Sequence, residues 1–214
     1  MIAIIDYGAG NLRSVANAVS SLGYHPVITG DPATVLRAEA VILPGVGAAG
    51  DTMKNLVKAG LAEAVRQLID ADRYLFAVCV GMQVLFDYAE EGGGHHCLGV
   101  FPGTVRRLPP GLKVPHMGWN QVKQSSKCAL FEGIPDRANF YFVHSYYPDP
   151  ADASVVAGTT EYGVSFCSVA VRHNLVATQF HPEKSGENGL RMYQNFLKLA
   201  TASGKQRLHQ GAAP

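Results

Sequence analysis

The chain has 214 residues, 47% hydrophobic and 16% charged, and its 18 Lys plus Arg against 17 Asp plus Glu leave a formal charge of +1. That length buries a full core, in one α/β domain or two small ones, and the composition excludes a chain that is disordered throughout. The balanced charge excludes a dedicated nucleic-acid binder or a protein held on an anionic membrane, no apolar run reaches the ~20 residues of a membrane span, and residues 1–5 meet Asp6 without a basic leader, so a soluble cytoplasmic protein is expected.

Residues 1–5 read as a buried strand by composition, and Leu12, Val15, Val19 and Leu22 then recur at helical spacing until Gly23 stops the helix. Residues 27–29 and 40–43 read as further strands. Met53, Leu56, Val57, Leu61, Val65, Leu68 and Ile69 mark one face of a second long helix, and residues 74–78 form the next strand. Strands alternating with helices predict a parallel sheet covered on both faces, with sites at its carboxyl ends, here Asp6, Pro44 and Cys79. After Gly92-Gly93-Gly94 the texture changes to short strands at 104–108, 140–143, 166–171 and 175–180, separated by Pro and Gly, which predicts a more antiparallel half. Leu190, Tyr193, Phe196, Leu197 and Ala200 share one face of a closing helix. No linker separates two units, so residues 1–200 read as one domain, and residues 201–214, with little periodicity, read as a disordered tail.

Three segments could carry chemistry. Residues 75–86 run a strand into a helix with Cys79 at the turn. Ala77 and Gly81, small residues on either side, permit a nucleophile elbow, where the helix start favours a thiolate and the Val80 amide faces an oxyanion. A buried structural cysteine ending a strand is the competing reading. At residues 176–186, Pro182 holds His181 extended, so His181 and Glu183 point the same way. A carboxylate that orients an imidazole serving a nucleophile is triad logic; a surface His–Glu pair is the alternative. Pro44-Gly45-Val46-Gly47 ends another strand, where glycines let backbone amides approach a ligand, or simply make a turn.

Other features carry less. The third glycine of a dinucleotide loop opened by Gly8 and Gly10 would fall at Arg13, and His95-His96-Cys97 has no distal ligand pair, so no metal site is expected. Cys79, Cys97, Cys128 and Cys167 have no CxxC spacing and read as reduced thiols.

In order along the chain, residues 5–14 (IDYGAGNLRS), 44–47 (PGVG), 79–83 (CVGMQ), 115–120 (PHMGWN), 140–146 (FYFVHSY) and 179–186 (QFHPEKSG) resemble the class I glutamine amidotransferases. More narrowly, the first and fourth phrases resemble the glutaminase subunits of imidazole glycerol phosphate synthases. The resemblance covers residues 2 to about 200 and implies an α/β, flavodoxin-like amidotransferase fold whose central, mostly parallel sheet is flanked by helices, with a more antiparallel C-terminal part. It also implies hydrolysis of L-glutamine without cofactor or metal, and transfer of the ammonia to a separate cyclase subunit, a (βα)8 barrel, in a heterodimer serving histidine biosynthesis.

By the same resemblance Cys79 is the nucleophile, His181 the acid and base and Glu183 its orienting carboxylate, with Val46, Gly47 and Val80 forming the oxyanion hole. Gly45, Gln83, Ser145 and Tyr146 match positions that bind glutamine. Asn11, Pro115, Met117, Trp119, Tyr141 and Lys184 match the partner interface and ammonia route. On composition alone Pro115, Met117 and Trp119, spaced two apart, would read as a buried strand face. The chain departs from the family at Ala77, where glycine is usual, and in its tail. The glutaminase of a different synthase is a second reading, and a catalytically silent flavodoxin-like binding protein, favoured by Ala77, a third.

Overall fold

A computed structural model describes residues 1–125 and 128–202. Its elements run β1 (Ile2–Ile5), α1 (Leu12–Ser21), β2 (Pro26–Thr29), α2 (Pro32–Arg37), β3 (Ala40–Leu43), α3 (Ala49–Lys58), α4 (Leu61–Asp70), β4 (Tyr74–Val78) and α5 (Val80–Gln83). They continue through β5 (Phe86–Ala89), β6 (His95–His96), β7 (Phe101–Arg107), β8 (His116–Gln124), β9 (Ala138–His144), β10 (Tyr146–Pro150), β11 (Val156–Glu161), β12 (Ser165–Arg172), β13 (Leu175–Thr178) and α6 (Gly186–Thr201).

Nine strands form the main sheet in the order β2-β1-β3-β4-β13-β12-β11-β8-β9, and β10-β7-β5-β6 form a second sheet. From β2 to β13 every neighbour is parallel, and from β13 onward every neighbour is antiparallel. The composition dictates the change. β1, β3, β4 and β13 are buried throughout and, Thr178 excepted, apolar, as a strand covered on both faces must be. β8 and β9 instead alternate buried and more open positions, as in a sheet with one wet face. Helix α6 closes the core by laying Tyr193 and Phe196 on Phe76 of β4, with ring centroids 5.1 Å and 5.2 Å apart. Each such ring contributes about 1.5–3 kcal/mol on burial.

The structure departs from the sequence reading in several places. The long helix expected over residues 53–69 is two helices, because Gly60 adopts φ 70° and resets the phase; Val57, placed on the buried face, is 62% exposed. The helix after Cys79 is one turn, and Phe86, expected to continue it, opens β5. His95-His96 is a short exposed strand rather than a loop. Thr201 ends α6, its Oγ1 donating to the Leu197 carbonyl at 2.7 Å, while the remainder of the expected tail, from 203, lies outside the described residues. Among the described residues no helix is long and apolar enough to cross a membrane.

Candidate active site

Strand order brings the three chemical segments together. β4 lies between β3 and β13, all parallel, so Cys79, the Pro44–Gly47 turn and the chain leading to His181 leave the sheet side by side. Cys79 itself sits at φ 54°, ψ −112°, a conformation that L side chains rarely adopt. Its surroundings hold it there: the Cys79 amide donates to the Thr178 carbonyl at 2.7 Å, and its carbonyl accepts from the amides of Met82 and Gln83 at 2.9 Å and 3.1 Å. A Cβ on Gly81 would lie 2.3 Å from the Leu43 carbonyl oxygen, so the turn fits against β3 only with glycine there. Ala77, by contrast, is accommodated: it is fully buried in β4 between Leu43 and Ala177, its partners across the two parallel ladders.

The elbow opens onto a cavity of about 250 Å³ whose walls include Cys79, Val80, Val46, Gly47, Gln83, Ser145, Tyr146 and His181. This is below the ~300–1,000 Å³ of sites for drug-sized ligands and suits an amino acid. Gly45 is not on the wall. It packs behind it, where an added Cβ would meet the Gly81 nitrogen at 2.1 Å.

Beyond β13, Phe180 stacks on Phe140 with centroids 4.2 Å apart, and the His181 amide donates to the Tyr141 carbonyl at 3.0 Å. These contacts aim the His181 ring at Cys79. His181 Nδ1 lies 2.8 Å from Glu183 Oε1, with the two side chains only 3% and 1% exposed. A surface pair is therefore excluded. Burial alone would lower the His181 pKa, but hydrogen bonding and charge from Cys79 and Glu183 outweigh it and raise the pKa to about 10. The ring thus holds its proton through neutral pH and can hand it to a leaving amine. Glu183 Oε2 is buried without a hydrogen-bond partner of sound geometry, and burial together with this carboxylate pushes the Tyr193 hydroxyl well above its ordinary pKa.

A Cys–His–Glu constellation at the carboxyl edge of a parallel sheet has the chemistry to supply a nucleophile, a proton donor and an orienting anion. The family model of glutamine amidotransferase class-I matches residues 3–200. The chain belongs to the class I glutamine amidotransferases. Within them it groups with the HisH subunits of imidazole glycerol phosphate synthase. It is 58% identical to the one from Dehalococcoides mccartyi (strain CBDB1), over 96% of this chain and 100% of that protein. With the one from Moorella thermoacetica (strain ATCC 39073 / JCM 9320) it shares 51% identity, over 95% of this chain and 97% of that protein. A solved structure described as a glutamine amidotransferase superimposes with a TM-score of 0.75 at 20% identity, covering 94% of this chain and all of that one, which establishes the shared fold.

The remaining expected residues of this amidotransferase separate into two groups. Pro115 stands at the cavity wall, while Met117 and Trp119 point outward from β8, 60% and 58% exposed, so the buried-face reading from composition is wrong. Trp119 meets Tyr141 edge-on at 6.0 Å, and Lys184 Nζ lies 5.9 Å from the Tyr141 ring centre. Asn11 directly precedes α1, partly buried, without a side-chain hydrogen bond to the helix start and away from the cavity wall. Sequence reasoning assigned no role to Gln179, whose Nε2 lies 3.6 Å from the Cys79 sulfur and whose Oε1 accepts from Gln83 Nε2 at 3.0 Å. Its only signal was its place two residues before His181. Glu91, whose Oε2 accepts from the Ala49 amide at 2.8 Å, also reaches the cavity and was not foreseen.

Proposed function

We propose that this chain is the glutamine-hydrolysing half of an imidazole glycerol phosphate synthase of histidine biosynthesis, with Cys79, His181 and Glu183 as its catalytic set. The observation that carries this is the buried His181–Glu183 pair facing Cys79 across an amino-acid-sized cavity. The Cys79 sulfur attacks the side-chain amide carbon of glutamine, and amides among Val46, Gly47 and Val80 hold the oxygen as it gains charge. His181 gives its proton to the departing ammonia and then takes one from the water that cleaves the thioester, releasing glutamate. Gln83, Ser145 and Tyr146 bind the amino-acid end, with Gly45 supporting that wall from behind. The ammonia leaves past Lys184 and Tyr141 into a (βα)8-barrel cyclase subunit seated on Asn11, Pro115, Met117 and Trp119. Tests of this reading measure glutamate and cyclase product together, with glutamine or an ammonium salt as nitrogen source.

Two expectations rank the parts. His181→Ala removes the proton carrier, whereas Glu183→Gln leaves it in place with its orientation weakened. Glutaminase kcat in the complex should therefore fall on the order of 10⁴-fold in the first and on the order of 10²-fold less steeply in the second. Equal losses would contradict the assigned roles. Trp119, an exposed aromatic side chain at the centre of the proposed docking face, should act as an anchor, so Trp119→Ala should weaken cyclase binding about thirtyfold, or about 2 kcal/mol. Because the side chain is 58% exposed, the melting temperature of the isolated chain should hold. A binding titration and a thermal melt check both statements, and unchanged affinity would put the cyclase elsewhere.

A further inference from the structure

From the wall of the glutamine cavity a buried chain of polar groups runs back into the fold, through two histidines that the proposed chemistry does not use. His116 opens β8 and His144 ends β9, and the two are direct partners across the ladder. Both are buried, at 4% and 5% exposure. His116 Nδ1 lies 2.9 Å from His144 Nε2, and His144 Nδ1 lies 2.8 Å from the Tyr146 carbonyl oxygen. At the other end, Asn120 Nδ2 lies 3.2 Å from His116 Nε2 and 3.0 Å from the Glu161 carbonyl oxygen. The Tyr146 carbonyl also accepts from Gln83 Nε2 at 3.0 Å.

These contacts allow only one direction for the protons. A carbonyl oxygen can only accept, so His144 carries its hydrogen on Nδ1 and offers the Nε2 lone pair. His116 must then donate from Nδ1, and its Nε2 accepts from the Asn120 amide. The chain closes only if both rings are neutral. Their surroundings enforce that: His116 is stacked between Tyr162, 3.9 Å away, and Phe142, 5.0 Å away, and burial pushes His116 to about 4 and His144 to about 3. One end of the chain is thus a carbonyl beside the cavity, which His144, Ser145 and Tyr146 all line. The other end is rooted in β8, between the outward-facing Met117 and Trp119 and the strand β11.

We propose that His116 and His144 are positioning residues for glutamine: through a one-way hydrogen-bond chain from Asn120, they fix the Tyr146 carbonyl and so the wall that binds the amino-acid end of the substrate. The inference rests on the glutaminase reading above. It also makes β8 common to the docking face and the substrate wall, so a load on the outer face of the strand reaches the pocket through two imidazole rings.

The test compares two substitutions at His116 in the complex with the cyclase. His116→Phe keeps an aromatic ring in the stack with Tyr162 and loses the donor; His116→Asn loses the ring and keeps a donor near the Nδ1 position. The chain predicts that KM for glutamine rises about tenfold in His116→Phe, the equivalent of one net hydrogen bond, and stays within about threefold of wild type in His116→Asn. kcat should change less than KM in both. The opposite order, equal rises or no rise would overturn the proposal and leave packing as the role of His116. In the unsubstituted protein, nitrogen-15 spectra of the imidazoles should show both rings neutral and protonated on Nδ1; a hydrogen on Nε2 of either would overturn it regardless of how the variants fold. Synthesis from ammonium salts runs alongside as a separate control. A wild-type complex that makes product from ammonium but never from glutamine would sink the glutaminase reading itself, whatever the imidazole spectra show.

Discussion

Replacing Cys79 with alanine should abolish glutamine-dependent synthesis by the complex, a fall of at least about 10⁴-fold, while synthesis from ammonium salts continues at close to the wild-type rate. The neighbours of the sulfur are no substitute for it: Gln179 Nε2, at 3.6 Å from it, is an amide, and His181 is held against Glu183. With the nucleophile gone, the cavity and its amide donors contribute binding and little else, the pattern seen when the nucleophile of a triad is removed. The fold should survive. Alanine removes one heavy atom from a 4%-exposed site at a cost of about 1 kcal/mol, and it leaves the backbone bonds from Thr178, Met82 and Gln83 intact. The ammonium arm separates the readings. A variant that lost both activities together would show that Cys79 is structural, and a wild-type complex that released no ammonia from glutamine would favour a silent binding protein on the same fold.

Much of this site is legible in the sequence because its chemistry is local. Cys79 and Gly81 sit two apart on one turn, and His181 and Glu183 two apart across a proline, so a reader of the chain sees each half of the constellation directly. The strands that bring the halves together are also legible, since residues 40–43, 74–78 and 175–177 are apolar at every position. What was not legible depends on which strands become neighbours. His116 and His144 are 28 residues apart, and nothing in either segment says that their rings will meet at 2.9 Å. Gln179 touches the sulfur only because β13 pairs with β4. The break at Gly60 was missed for a different reason: apolar spacing continued through it, and periodicity does not register a change of phase made by one residue at positive φ.

A methyl group at Gly45 should cost most of the activity by a purely steric route, with the sulfur still in place. β3 and β4 are in register at Leu43 and Ala77, so the chain leaving β3 passes directly over the elbow leaving β4. A Cβ on Gly45 would lie 2.1 Å from the Gly81 nitrogen, 2.7 Å from the Val80 carbonyl carbon and 2.9 Å from Val80 Cβ. Two of these atoms are backbone, so no rotamer change relieves the clash. The elbow also cannot retreat, because Gly81 is already packed against the Leu43 carbonyl and Cys79 is already at φ 54°. Either the turn at residues 44–47 lifts away, carrying the amides of Val46 and Gly47 from the sulfur, or Cys79 rotates away from His181. A displacement of about 1 Å costs on the order of 10²-fold, and loss of an oxyanion donor 10²–10³-fold, so kcat should fall about 10²–10³-fold in Gly45→Ala. Overpacking should cost a further 1–3 kcal/mol of stability, roughly. Gly23→Ala supplies the comparison: at φ +85° with nothing within 4 Å, it carries backbone strain without a clash. That variant should melt earlier and keep its glutaminase rate. Steady-state glutamine hydrolysis and thermal melts of the two variants decide the matter, and a Gly45→Ala protein with wild-type kcat would mean that the turn and the elbow move independently.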